Sequence, residues 1–193
     1  MNGETRPWVT VVSGLPRSGT SMIMQMLAAG GMEVLTDELR EADEDNRRGY
    51  FEYEPVKRTR KDASWVGEAL GRVVKVVDLL LRDLPAEFDY RVVLTERPLG
   101  EVLASQRVML ARRGEAGANL SDDALAAAFA RQRAGLEQWL AEHPSFRVLK
   151  IHYHDVLSRP SEEVARLCEF LEGGLDQQAM VAAVEPRLRH QTS

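Results

Sequence analysis

The stretch Val9–Leu27, VTVVSGLPRSGTSMIMQML, constrains this chain more than any other part of it. An apolar β-branched run enters the loop Ser13-Gly14-Leu15-Pro16-Arg17-Ser18-Gly19-Thr20-Ser21, which opens directly into an apolar helical pattern. Strand, glycine loop and helix start gather backbone N–H groups and the positive end of a helix dipole at one point, where they favour an anion. Gly14 and Gly19 permit the turn and a close approach of ligand to main chain. Ser18, Thr20 and Ser21 add hydroxyls, and Arg17 adds a planar fork of donors suited to phosphate or sulfate oxygens. The plainer alternative at this level is a Gly/Ser-rich turn that only connects a strand to a helix.

Two familiar phosphate loops are excluded. The nucleotide-hydrolase loop reads G-x-x-x-x-G-K-[ST], but Thr20 follows Gly19 and no lysine lies between Gly3 and Gly31. The dinucleotide fingerprint G-x-G-x-x-G fails because Leu15-Pro16 follows Gly14. Val73–Val77 followed by Asp78 imitates the strand that holds magnesium in such hydrolases. Lys75 interrupts it, and without the lysine loop the likeness carries no weight.

Apolar strand candidates recur at Val9–Val12, Glu33–Leu35, Val73–Val77, Arg91–Thr95 and Phe146–Ile151. Helical patterns separate them at Thr20–Ala29, Glu54–Leu70, Leu99–Arg113, Asp122–Glu142, Ser161–Leu171 and Asp176–Val184. This alternation predicts an α/β fold: three layers, α/β/α, with a mostly parallel central sheet of about five strands. Several strands are valine-rich without clean alternation, as befits strands covered on both faces. Ser121 reads as the N-cap of a helix with Asp122 and Asp123 in its first turn. The charge run Glu38–Arg48 reads as a solvated loop, and the glycine-rich Arg112–Leu120 as a second loop.

At 193 residues the chain is expected to form one domain, spanning 1–193. A net charge of −5 argues against a general nucleic-acid surface, so any anion site must be local. No apolar run approaches the roughly 20 residues that span a bilayer, so no membrane partner is expected. The beginning MNGETRPW lacks a signal-peptide core, and the lone Cys168 cannot form an internal disulfide, so a cytoplasmic protein is expected. Cys168 falls at helical spacing with Val164, Leu167 and Leu171 and reads as core. No Cys/His cluster has zinc spacing, and no metal ligand is expected.

A second anion signal lies further on. Ligands of parallel α/β sheets bind beyond the carboxyl ends of the strands, where Arg97 follows the strand Arg91–Thr95. Pro98 then suits the first turn of a helix. Ser105 falls on the flank of that helix, about two turns along and on nearly the same side, so one anion could touch both Arg97 and Ser105. Two anion points on one sheet edge call for a ligand with two separated anionic groups.

Here the chain resembles the sulfotransferases that use 3′-phosphoadenosine 5′-phosphosulfate (PAPS). Their first motif, of P-[KR]-S-G-T-[ST] type, is matched by Pro16, Arg17, Ser18, Gly19, Thr20 and Ser21. Their second, an Arg at a strand end with a Ser eight residues later, is matched by Arg97 and Ser105. A third, Y-x-D-[LV]-L, resembles Tyr153-His154-Asp155-Val156-Leu157. The likeness runs from about residue 8 to 189. Arg17 in place of Lys is closer to the loop of tyrosylprotein sulfotransferases. GYFE (Gly49–Glu52) and SQRVML (Ser105–Leu110) resemble small bacterial sulfotransferase-like proteins.

The resemblance implies a P-loop nucleoside-kinase-like fold and sulfuryl transfer from PAPS to a hydroxyl or amine of a small-molecule or peptide acceptor, with PAP (3′,5′-ADP) as product and no metal required. It implies that the first motif holds the 5′-phosphosulfate, with Arg17 stabilising the leaving oxygen, and that Arg97 and Ser105 bind the 3′-phosphate. Tyr153 would lie near the adenine. Arg187 and Arg189 would replace the late basic segment that closes the 3′-phosphate site in larger relatives. For the base, the tyrosylprotein-type offset of 21 residues from the loop arginine lands on Glu38, next to Asp37, and Glu52 is the second choice. Lys75 could face the donor. A divergent P-loop kinase or nucleotide hydrolase, and a non-catalytic PAP-binding module, are the alternatives.

Overall fold

The computed structural model describes residues 7–37, 51–115 and 120–184. Four parallel strands form its sheet: β1 (Val9–Gly14), β2 (Val73–Lys75), β3 (Tyr90–Glu96) and β4 (Phe146–His152), in the order β2-β1-β3-β4. Among the described residues six α-helices accompany them: α1 (Thr20–Ala29), α2 (Leu99–Arg113), α3 (Asp122–Glu142), α4 (Tyr153–Ser158), α5 (Pro160–Phe170) and α6 (Gln177–Ala183). This is the expected α/β fold with a parallel central sheet.

Successive residues of a strand point to opposite faces, and here both faces are apolar. Val12, Val73 and Val93 join α1, α4, α5 and α6 in one core, where Met24, Val156, Leu167 and Met180 are buried. Their neighbours Val11, Val74 and Val92 face the other core, with Trp65, Leu81, Leu136 and Leu140. Every residue of β1 and β3 is buried, which explains why these strands read as apolar runs rather than alternations.

The fifth strand expected at Glu33–Leu35 is reduced to a single parallel bridge, Val34 to Val73. Leu35 N–H donates to Val73 O (2.8 Å) and Val73 N–H to Glu33 O (2.9 Å), extending the sheet edge by one rung. β2 is shorter than expected, because the chain turns at Asp78 into a 3-10 segment, Asp78–Asp83.

The helix expected over Glu54–Leu70 is two 3-10 segments, Glu54–Arg58 and Ser64–Ala69. Local side-chain bonds break it. Thr59 Oγ1 donates to Val56 O (2.6 Å) and accepts from Trp65 Nε1 (3.2 Å), while Asp62 Oδ1 accepts from Ser64 N–H (3.0 Å). The short helix α4 was not expected; Pro160 then starts α5 in a new direction. The N-cap at Ser121 is as the sequence suggests, its Oγ accepting from Ala124 N–H; Asp176, expected inside its helix, also caps it, Oδ1 accepting from Ala179 N–H. The charge run Glu38–Arg48 and residues 116–119 of the second loop lie outside the described residues.

After β2 the chain crosses over β1 to form β3. This reversal opens a crevice at the carboxyl end of β1, where ligands of such sheets bind. Among the described residues no helix is long and apolar enough to cross a membrane.

Candidate functional site

The loop after β1 is fitted tightly to the end of β3. Gly14 has φ 149°, and a Cβ there would lie 2.6 Å from Ser18 Oγ and 2.8 Å from Thr95 O, so no side chain fits. Ser18 Oγ donates to Leu15 O (2.6 Å) and lies 2.6 Å from Thr95 Oγ1, which donates to Ser13 O (3.1 Å). Ser18 is buried, so its hydroxyl braces the loop from within rather than facing its mouth.

Gly19 caps α1 with φ 105° and no side-chain bond, and the first turn of α1 has no acidic residue. Its N-terminal N–H groups and dipole are therefore not compensated by a carboxylate of that turn. Lys75 Nζ donates to Ser21 Oγ in this first turn (3.0 Å). A strand neighbouring the loop thus brings an ammonium to the helix start, where the sequence has no loop lysine.

Arg17, at φ 71°, reaches across to α2 and donates from Nε to Ser105 Oγ (3.0 Å). Arg97 lies alongside, its Nη1 3.4 Å from Arg17 O. Its guanidinium is stacked 4.4 Å above the Tyr153 ring, and its Nε donates to Glu101 Oε2 (2.9 Å). Glu101 Oε1 pairs with His154 Nε2 (2.8 Å). Partial burial would raise the Glu101 carboxyl, but the bonds from Arg97 and His154 prevail and hold it below the usual carboxylate range. The Tyr153 ring also closes on the loop: a Cβ on Gly19 would lie 2.8 Å from its Cδ2. Burial pushes the Tyr153 phenol up, against the opposing pull of Arg97.

The fold thus gathers Arg17, Gly19, Ser21, Arg97, Ser105 and Tyr153 at one edge; Pro16 is exposed on the loop and Thr20 is buried at the helix start. The sequence did not reveal that Arg17 and Ser105, assigned to opposite ends of one ligand, would be bonded to each other. Glu101 was also missed, although its position four residues after Arg97 on a helix was a usable signal.

Of the carboxylates considered as bases, Asp37 and Glu52 fall within the described residues. Glu52 O accepts from Thr36 Oγ1 (2.8 Å) and Asp37 N–H (3.3 Å), while its carboxylate is 3.6 Å from Lys57 Nζ. Asp37 Oδ2 accepts from Glu54 N–H (2.5 Å). Both follow the Val34 bridge at the far side of β2. Glu38, Arg187 and Arg189 fall outside the described residues. Among the described residues no group of three His, Cys, Asp or Glu could hold a metal ion.

No curated protein matches the chain. A sulfotransferase domain from the curacin biosynthetic pathway superposes with a TM-score of 0.58 at 17% identity, over 93% of this chain and 78% of that one. A sugar kinase from Janibacter sp. HTCC2649 aligns at 13% identity and a TM-score of 0.44, over 93% of this chain and 99% of that one, too low to carry an argument. The model of the Sulfotransferase family matches residues 32–177, a stretch that contains β2, β3, β4, Arg97, Ser105 and Tyr153. With most of its length in that match, the chain belongs to the Sulfotransferase family.

Proposed function

We propose that this chain transfers a sulfuryl group from PAPS to a hydroxyl or amine of a small-molecule or peptide acceptor. The observation that carries the reading is the convergence of the uncapped α1 start, Lys75, Arg17 and the Arg97–Ser105 pair at the carboxyl edge of β1 and β3. Such an edge suits a ligand with two anionic ends. Membership of a transferase family sets the reaction type.

In this reading each residue of the edge has a part in holding the donor. The N–H groups from Ser18 to Ser21 would receive the 5′-phosphosulfate, with Pro16 and Gly19 shaping the loop and Thr20 beginning the helix. Lys75 supplies the ammonium that a nucleotide-hydrolase loop would carry itself. Arg97, Ser105 and, from the chain's end, Arg187 and Arg189 would surround the 3′-phosphate. Tyr153 sets the distance between loop and Arg97 and borders the adenosine. When bound, PAPS supplies an activated sulfuryl group whose bridging S–O bond breaks as the acceptor O–S or N–S bond forms, leaving the electron pair on the 5′-phosphate.

Arg17 stabilises that phosphate oxygen, for which it must leave Ser105. The acceptor's proton passes to a carboxylate, Glu38 first and Glu52 second. Positioning and electrostatics then supply most of the acceleration, as in phosphoryl transfer, and the scheme uses no metal. The tyrosylprotein-type loop and the likeness to small bacterial sulfotransferases belong to this same reading, as do a single domain and a cytoplasmic site of action.

Calorimetric titration tests it. 3′,5′-ADP should bind without magnesium and much more tightly than ATP with magnesium; equal binding would favour a P-loop kinase or hydrolase. Binding of 3′,5′-ADP without turnover across a broad acceptor panel would favour a non-catalytic module. Glu38→Gln should keep 3′,5′-ADP affinity and lower turnover by about 10²-fold or more, and unchanged turnover would remove Glu38 as the base.

A further inference from the structure

Arg97 is held from several directions. Its side chain is only 10% exposed, and the Tyr153 ring covers one face of the guanidinium at 4.4 Å. Its Nε donates to Glu101 Oε2 (2.9 Å), and its Nη1 lies 3.4 Å from Arg17 O. A guanidinium carries five N–H donors in one plane. These contacts leave Nη2 and the second N–H of Nη1 without a partner among the described residues.

Glu101 is held in its turn. His154 Nε2 lies 2.8 Å from Oε1, so each carboxylate oxygen serves a different side chain. With both oxygens on Arg97, a bidentate pair would occupy a second guanidinium nitrogen. His154 draws one oxygen away, and Arg97 keeps its Nη groups for another anion. An acidic residue in the first turn of α2 has a plainer use, since it suits the helix dipole and pairs with Arg97 at i,i+4. That use does not account for the bond from its other oxygen to α4, 53 positions along the chain.

We infer that Glu101 is a positioning residue of the donor site: braced by His154, it presents the Nη groups of Arg97 to a phosphate. The inference rests on the reading of Arg97 as a ligand of the 3′-phosphate. Glu101 acts on that phosphate in two opposed ways. Its charge repels the anion, while its oxygen orders the arginine beforehand, so that less side-chain freedom is lost on binding.

Two variants separate these effects. Gln and Met are both uncharged, close to Glu in length and comparable as helix formers, but only Gln keeps an oxygen for Arg97 Nε. In calorimetry Glu101→Gln should bind 3′,5′-ADP roughly 3–10-fold more tightly than Glu101→Met, with 5′-AMP bound equally by the two. Equal 3′,5′-ADP affinities overturn the inference, as does a difference that is the same for 5′-AMP. A purely structural Glu101 would move the unfolding midpoint and leave the ratio of the two nucleotides alone.

His154→Gln and His154→Leu repeat the comparison one bond further out if Glu101→Met folds poorly. Gln keeps a donor for Glu101 Oε1 and Leu does not, so 3′,5′-ADP should again favour the Gln variant, and equal affinities overturn the bracing role. Wild type separates the two readings. If 3′,5′-ADP fails to bind it, the donor assignment falls and the inference with it. Normal binding without a difference between Glu101→Gln and Glu101→Met removes the inference alone and leaves Arg97 in the donor site.

Discussion

Arg97 makes the sharpest prediction at the scale of single residues, because its proposed role is to read a phosphate that only some nucleotides carry. Arg97→Ala should weaken 3′,5′-ADP by roughly 10–100-fold, the value of one or two charged hydrogen bonds, and change 5′-AMP little. Equal losses for both nucleotides in calorimetry would take Arg97 out of the 3′-phosphate site. Asp78 makes a prediction about stability. Its carboxyl is raised in the folded state, so the folded protein binds that proton more tightly than the unfolded chain. Stability is therefore lost as pH rises from the ordinary carboxylate range through the raised one. Asp78→Asn removes this titration, so wild type should gain stability relative to the variant as pH falls from about 7 to about 4. Urea unfolding at several pH values measures the difference, and a flat difference would contradict it. The positions of Arg97 and Ser105 could be read from spacing on one helix. The bond from Arg17 to Ser105 joins residues 88 apart, and no local pattern encodes it.

Among the elements, the loop and α1 depend on a contact that neither contains. Gly19 has φ 105° and faces the buried Tyr153 ring, which is itself held beneath Arg97. Gly19→Ala should cost on the order of 1–3 kcal/mol from backbone strain, and should also loosen 3′,5′-ADP by displacing the ring and Arg97. Gly31→Ala is the control: its φ is 93°, but nothing lies within 4 Å of the added methyl. Both variants should lower the unfolding midpoint, and only the first should change nucleotide affinity. Equal affinities for the two variants would mean that Tyr153 does not couple the loop to Arg97. The segment 54–70 shows where element reading failed. Its composition tolerates a helix, but Thr59, Asp62 and Ser64 bond to nearby groups, and Trp65 is drawn into the core beside Val11 and Leu81.

For the molecule as a whole, donor binding should appear as stability. A ligand at 100 times its dissociation constant adds about 2.7 kcal/mol, which for a chain of this size raises the midpoint by on the order of 5–10 °C. 3′,5′-ADP should produce that shift in a thermal melt, and ATP with magnesium at the same concentration should not. The sequence by itself determined the alternation of strands and helices, the strand–glycine loop–helix order of the first motif, and the spacing of Arg97 to Ser105. These depend on periodicity and backbone preference over a few residues, and such preferences act wherever the segment is placed. Tertiary structure decided which strands adjoin. By setting β2 and β3 on either side of β1, the crossovers brought Lys75 to Ser21, Asp78 to Gln132 and Tyr153 to Gly19. Each of these pairs is separated by more than fifty residues, and its geometry depends on register and helix packing across the whole sheet. That is why the loop could be proposed as an anion site from its own residues, whereas the ammonium beside it and the buried carboxyl of Asp78 emerged only from the folded chain.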